Sequence, residues 1–119
     1  MPLPLRSSVK LLIKMVALIS KNIDQIQALC KEHYVKSLYL IGSAARTENG
    51  FSADSDVDFL YTFNKETMPE FDYADHYFEL LFELQNLLNR KVDLVAEDRL
   101  KNPYFIKSIN GDKQKLYES

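Results

Sequence analysis

The sequence predicts an α/β (α+β) fold, a sheet with helices packed on it. Three observations carry that reading. Apolar residues recur at helical spacing in some segments and form short β-branched and aromatic runs in others. These segments alternate along the chain as helix, helix, strand, strand, helix, strand, helix, the order of a sheet covered by helices rather than of a bundle or a sandwich. At 119 residues, with 46% hydrophobic residues but only 3 glycines and 4 prolines, the chain has the length and composition of one globular domain.

Each element has its own signal. Met1 to Ser7 holds two prolines and reads as a loose leader. Val9, Leu12, Val16 and Ile19 fall on one face of a first helix. The spacing predicts a second helix from Asn22, with Asn22 and Gln25 forming a relaxed capping box at its start and Ile23, Ile26 and Leu29 continuing the apolar stripe. Residues 1–21 are therefore expected to be a leader and helix, and residues 22–119 the main domain. Helix gives way to strand near Tyr34, with a first strand over Ser37–Ile41 and a second over Val57–Phe63. Thr67-Met68-Pro69-Glu70 reads as the start of a long helix, since threonine caps, glutamate reaches back and proline is tolerated in the first turn. Ala74, Tyr77, Phe78, Leu81, Leu84 and Leu88 mark its core face, and Tyr73 and Phe82 add aromatic surface for a partner. Lys91–Val95 is a third strand carrying Asp93. Asn102 and Pro103 open a last short helix as cap and first residue, and Asn110-Gly111 is its expected stop.

Charge and cysteine usage narrow the function. A formal net charge of -2 gives no general attraction to nucleic acid, so direct nucleic-acid binding is not expected. Cys30 is the only cysteine; it sits on an apolar helical face and reads as a buried small residue. The N-terminal apolar run is broken by Lys14, lacks a clear cleavage site and is too short to span a bilayer. A soluble, cytoplasmic protein without a membrane anchor is expected.

The chemistry concentrates between Leu38 and Phe63. The first strand stops at Gly42-Ser43, where a glycine lets backbone approach phosphate closely and Ser43 adds a hydroxyl and anion-binding amides. Ala44 and Ala45 keep the turn narrow, and the planar fork of Arg46 suits a phosphate oxygen, as it also suits a surface. Asp56 and Asp58 follow at the start of the second strand. Residues i and i+2 of a strand share a face, about 6.6 Å apart at about 3.3 Å per residue. Asp93, on a neighbouring strand, completes a cluster of three carboxylates. Its flanks Val92, Leu94 and Val95 predict a buried position. Such oxygen ligands suit magnesium, which keeps waters and substrate phosphates in its shell, and two ions about 3.5–4 Å apart can clamp an in-line displacement at phosphorus. Asp56 and Asp58 would bridge the ions, and Asp93 would hold the one nearer the nucleophile. Asp54 shares the spacing but reads as loop. A D-x-D alone is usually a solvated turn; the upstream turn and the downstream Asp93 are what turn it into a site. His33 and His76 have no ligand-spaced partners in the sequence and are assigned no site.

The motifs Gly42-Ser43-Ala44-Ala45-Arg46, Ser55-Asp56-Val57-Asp58 and Val92-Asp93-Leu94-Val95 resemble those of the minimal nucleotidyltransferases (MNT) of the DNA polymerase β superfamily. The resemblance extends from about Asn22 to Tyr117, including Asn102-Pro103-Tyr104-Phe105 and Leu116-Tyr117. Thr47 stands where many relatives have glycine, and the spacer to Ser55 is longer than in the shortest ones. The resemblance implies a nucleotidyltransferase fold with a mixed sheet, Mg2+ (or Mn2+) and ATP or another nucleoside triphosphate. It implies Asp56, Asp58 and Asp93 as catalytic and metal-holding residues and Gly42, Ser43 and Arg46 as nucleotide-binding ones. It further implies a setting: many MNT proteins are antitoxins beside a HEPN-domain ribonuclease toxin, and some transfer AMP to a tyrosine of it. The expected activity is transfer of AMP to a hydroxyl of such a partner. The alternatives are an antitoxin that neutralises by binding alone and a nucleotidyltransferase for a small molecule such as an aminoglycoside.

Overall fold

A computed structural model describes residues 17–42 and 56–119. Residues 17–21 are helical. They lead into α1 (Ile23–Glu32), β1 (Val35–Ile41), β2 (Val57–Phe63), α2 (Tyr73–Leu88), β3 (Val92–Ala96), a 3-10 turn (Glu97–Arg99), α3 (Pro103–Asp112) and β4 (Gln114–Glu118). The four strands form one mixed sheet in the order β3-β2-β1-β4. β1 pairs antiparallel with both β2 and β4, whereas β2 and β3 are parallel. A parallel pair cannot be closed by a tight turn, and α2 provides the crossover.

Alternation along the strands sorts the side chains onto two faces. Leu38, Leu40, Val57, Phe59, Tyr61, Phe63, Val92 and Leu94 meet Ile26 and Cys30 of α1 and Leu80, Leu84 and Leu88 of α2 in the main core. The opposite face holds a smaller cluster, Ile41 and Leu60 against Ile109 of α3, with Tyr39, Val95 and Leu100 around it. Asp58 and Asp93 alternate with the main-core residues and so belong to this second face.

Among the described residues the predicted elements are present, with differences at their ends. α1 starts where expected, but Asn22 makes no capping bond. Its Nδ2 donates to Leu18 O at 2.8 Å instead, tying α1 to the preceding turn. The long helix begins at Tyr73, not at Thr67. The Thr67 hydroxyl and the Met68 amide both bond back to Asn64 O, and Phe71 at φ 76° takes the left-handed conformation that a continuous helix excludes. The core face of α2 is also rotated from the predicted stripe: Leu80 is fully buried, while Phe78 is 51% exposed. Tyr73, Tyr77, Leu80, Leu84 and Leu88 follow the i, i+4, i+7 rhythm of the packed face better. Asn89, left-handed at φ 53°, ends the helix.

At α3 the Asn102 side chain accepts from the Tyr104 and Phe105 amides at 2.9 and 3.2 Å, with Pro103 in the first turn. The helix passes through Asn110-Gly111 to Asp112. β4 carries no strand signal in the sequence; it exists because β1 has a free edge to pair with. Val9, Leu12, Val16, Ser43 and Arg46 lie outside the described residues. Among those described, no helix is long and apolar enough to cross a membrane.

Cys30 is fully buried, and burial pushes its thiol up to about 12. The folded state thus keeps a proton that the unfolded chain releases near the ordinary thiol value of about 8.5. Its contribution to stability is complete below about pH 8.5 and is lost as the pH rises toward 12. The urea midpoint should fall between pH 8 and pH 10.5, and fall less in Cys30→Ala, which starts about 1 kcal/mol less stable from lost burial. A thiol reagent at pH 8 should label Cys30 only after unfolding.

Candidate active site

The site is built where the C-terminal end of β1 lies beside the starts of β2 and β3. β3 lies parallel to β2 in a register that sets Asp58 directly opposite Asp93, and β1 sets Ile41 opposite Asp58. The next residue, Gly42, turns the chain away at φ +75°. A Cβ there would lie 2.5 Å from Asp58 Oδ2. Glycine is needed for both reasons: the left-handed backbone and the carboxylate against its Cα.

A cavity of about 480 Å³ opens here. Asp58, Asp93 and Gly42 line it, and α3 adds Phe105, Ser108 and Asp112. Asp112 is a carboxylate that the sequence reading missed. Ser108 and Asp112 are one helical turn apart, and only the packing of Ile109 on the sheet turns them toward the strand ends. No local pattern marks them.

The structure does not bury Asp93 as its flanks predict. β3 is an edge strand, with Val92 and Leu94 on the core face and Asp93 exposed between them. The apolar flanks report the other face of the sheet. Asp56, just before β2, is not among the residues that line the cavity, and its Oδ2 is 3.9 Å from Lys91 Nζ. At that distance and exposure the pair contributes little to stability. Ser43 and Arg46 fall outside the described residues.

The donor set of the cavity is all oxygen: Asp58, Asp93 and Asp112, without histidine or cysteine among the described lining residues. Hard divalent cations such as magnesium and manganese take such ligands. His33 and His76, given no partners by the sequence, meet on the other side of the sheet. Their Nδ1 atoms are 2.9 Å apart.

Facing aspartates on adjacent parallel strands beside a glycine turn suit a hard divalent cation that keeps phosphate oxygens in its shell. The "Nucleotidyltransferase domain" family matches residues 23–116, and the chain belongs to it. It is a nucleotidyltransferase. A protein of Methanocaldococcus jannaschii provisionally named a protein adenylyltransferase is 35% identical over 100 residues, 77% of this chain and 95% of its own. A solved structure provisionally named a minimal nucleotidyltransferase superposes with TM-score 0.66 at 25% identity, over 83% of this chain and 93% of that one. The fold also resembles, with TM-score 0.51 at 19% identity over 84% of this chain and 72% of the other, a structure of a tri-AMPylated Shewanella oneidensis HEPN toxin in complex with MNT antitoxin.

Gly42→Ala tests the geometry. The left-handed backbone alone costs about 1–2 kcal/mol for a residue with a Cβ, and the Asp58 carboxylate must also move. The expected result is a lower urea midpoint together with weaker divalent-cation binding, read by calorimetry.

Proposed function

We propose that this protein transfers AMP from ATP to a hydroxyl group of a partner protein, and that the partner is a HEPN-domain ribonuclease toxin which it silences as an antitoxin. The observation that carries the reading is the register pairing of Asp58 with Asp93 beside Gly42 in one cavity. The name of the archaeal relative and the AMPylated toxin bound by a protein of this fold support the choice of nucleotide and partner.

In the proposed reaction a hydroxyl oxygen of the partner attacks the α-phosphorus of ATP. The bond from that phosphorus to the bridging oxygen breaks, and pyrophosphate leaves. Magnesium held by Asp56, Asp58 and Asp93 would lower the pKa of the attacking hydroxyl and neutralise the leaving charge. Asp93, the exposed member, accepts the hydroxyl proton. Asp112 extends the acidic wall opposite the strands. Gly42 leaves room for a phosphate beside its backbone; Ser43 and Arg46 are assigned to the same phosphates. The catalytic unit is taken as residues 22–119, and the cytoplasm, where ATP and such a partner occur, as its location.

A second reading is silencing by binding alone, and α2 offers a surface for the contact that both readings need. Phe78 and Phe82 of α2 are 51% and 55% exposed and stack on each other with centroids 6.2 Å apart. Such a patch suits a protein partner whether or not catalysis follows. Stoichiometry separates the two. Catalytic silencing needs substoichiometric protein, ATP and magnesium, leaves AMP on the toxin and persists after separation. Masking needs about one molecule per toxin and reverses on separation.

Asp58→Asn and Asp93→Asn keep shape but remove charge that a hard cation requires. Both should lose AMP transfer, followed with labelled ATP, by about a hundredfold or more. Their stability without metal should be unchanged or slightly higher, since facing carboxylates repel. Transfer at the wild-type rate in either variant, or in excess chelator, would refute the catalytic reading and leave masking.

A further inference from the structure

The helical layer on the far side of the sheet carries a second cluster of ligand-type side chains. His33 caps the C-terminus of α1 and is 2% exposed. Its Nδ1 lies 2.9 Å from His76 Nδ1 and 3.7 Å from Glu79 Oε2. His76 and Glu79 are neighbours at i, i+3 on the face of α2 that meets α1. One atom from each of the three residues falls within a common 4.8 Å. The other ring nitrogen, Nε2, is 3.1 Å from Glu83 Oε2 and 3.2 Å from Glu32 Oε2. The Tyr34 ring packs edge-on against His76, with centroids 5.0 Å apart.

The geometry points to a binding site for a zinc-class transition-metal ion, ligated by His33 Nδ1, His76 Nδ1 and Glu79, that ties the end of α1 to the start of α2. Three features carry this. Ligand atoms about 2.0–2.1 Å from a tetrahedral zinc are separated by about 3.3 Å, and the two distances at His33 Nδ1, 2.9 and 3.7 Å, lie on either side of that value. Secondly, a metal-ligating histidine characteristically donates its other N–H to a carboxylate, which fixes the tautomer and the ring plane; Glu83 and Glu32 are in place to accept from His33 Nε2. Thirdly, three carboxylates surround one buried imidazole, a concentration of negative charge that a divalent cation offsets.

Nitrogen donors distinguish this site from the all-oxygen cavity of Asp58 and Asp93, so the two should sort a borderline ion from magnesium. The bound ion takes the place of the proton that otherwise bridges the two Nδ1 atoms, and His76 then carries its proton on Nε2. Glu79 is 59% exposed, which leaves the fourth position to water.

The test uses the untagged full chain, stripped of metal and titrated with Zn(II), and with Co(II) as a spectroscopic probe, in excess magnesium. One equivalent should bind, Co(II) should give the intense visible bands of a tetrahedral site, and the melting temperature should rise by about 10 °C at about 100 times Kd. His76→Ala and Glu79→Gln, both at surface-accessible positions, should fold, weaken binding by about a hundredfold or more and lose the tetrahedral spectrum. Glu83→Gln should keep the spectrum but bind about 10–100-fold more weakly. The Asp58→Asn/Asp93→Asn double variant should bind as wild type does. Equal uptake by wild type, His76→Ala and Glu79→Gln would overturn the assignment. So would a Co(II) spectrum that stays octahedral: the histidines would then be joined by a shared proton alone.

Discussion

The parallel pairing of β2 with β3 is the constraint on which the site depends. Asp58 and Asp93 are 35 positions apart in the chain, yet the register makes them direct neighbours. In a parallel ladder, neighbouring residues of the two strands project to the same face, so two acidic side chains are held together without a local turn. The crossover through α2 fixes this register. Leu80, Leu84 and Leu88 sit in the main core against Phe59 and Leu94, and sliding β3 by one residue would turn Asp93 into that core. Burial of apolar groups on one face thereby sets the spacing of charges on the other.

The same division of faces explains how an acidic cluster persists in a small domain. The hydrophobic load is borne by the helical side, where Ile26, Cys30, Leu38, Phe59 and Leu84 are shielded from water. Among the described residues the α3 side holds a smaller cluster, Ile41, Leu60 and Ile109 with Tyr39, Val95 and Leu100 around it. That lighter packing leaves the strand ends open and admits a cavity. Gly42 adds a sharp limit: its missing side chain is the space occupied by the Asp58 carboxylate. Strain and close approach fall at the same residue, as they do where a backbone must bend around chemistry.

The two clusters of ligand-type residues differ in the physics that assembles them. Strand register brings the aspartates together, whereas the histidines meet because α1 and α2 pack side by side on one sheet face. Helix packing places residues by shape, so a pair such as His33 and His76 leaves no spacing in the sequence to read. Donor chemistry follows the same division, oxygen at the strand ends and nitrogen between the helices. A domain of this size can therefore present a hard and a borderline site without competition between them.

Local physical chemistry in the sequence determined the strand β2 to the residue, the start of α1, the Asn102-Pro103 opening of α3, the glycine turn and the aspartate pattern that led to the nucleotidyltransferase family. These are set by periodicity, capping and turn chemistry among close neighbours, which a linear reading contains. Tertiary structure decided the late start of α2, where Tyr34 O holds the Asn64 amide at 2.7 Å and left-handed Phe71 keeps the chain out of helix, and the rotated core face that exposes Phe78. It decided that β4 exists, that Asp93 lies on an exposed edge, that Asp112 joins the cavity while Asp56 stands outside its lining, and that two histidines touch. Each of these depends on which distant surface an element meets. Pairing energy and burial are properties of two partners at once, and the sequence of either one does not contain them.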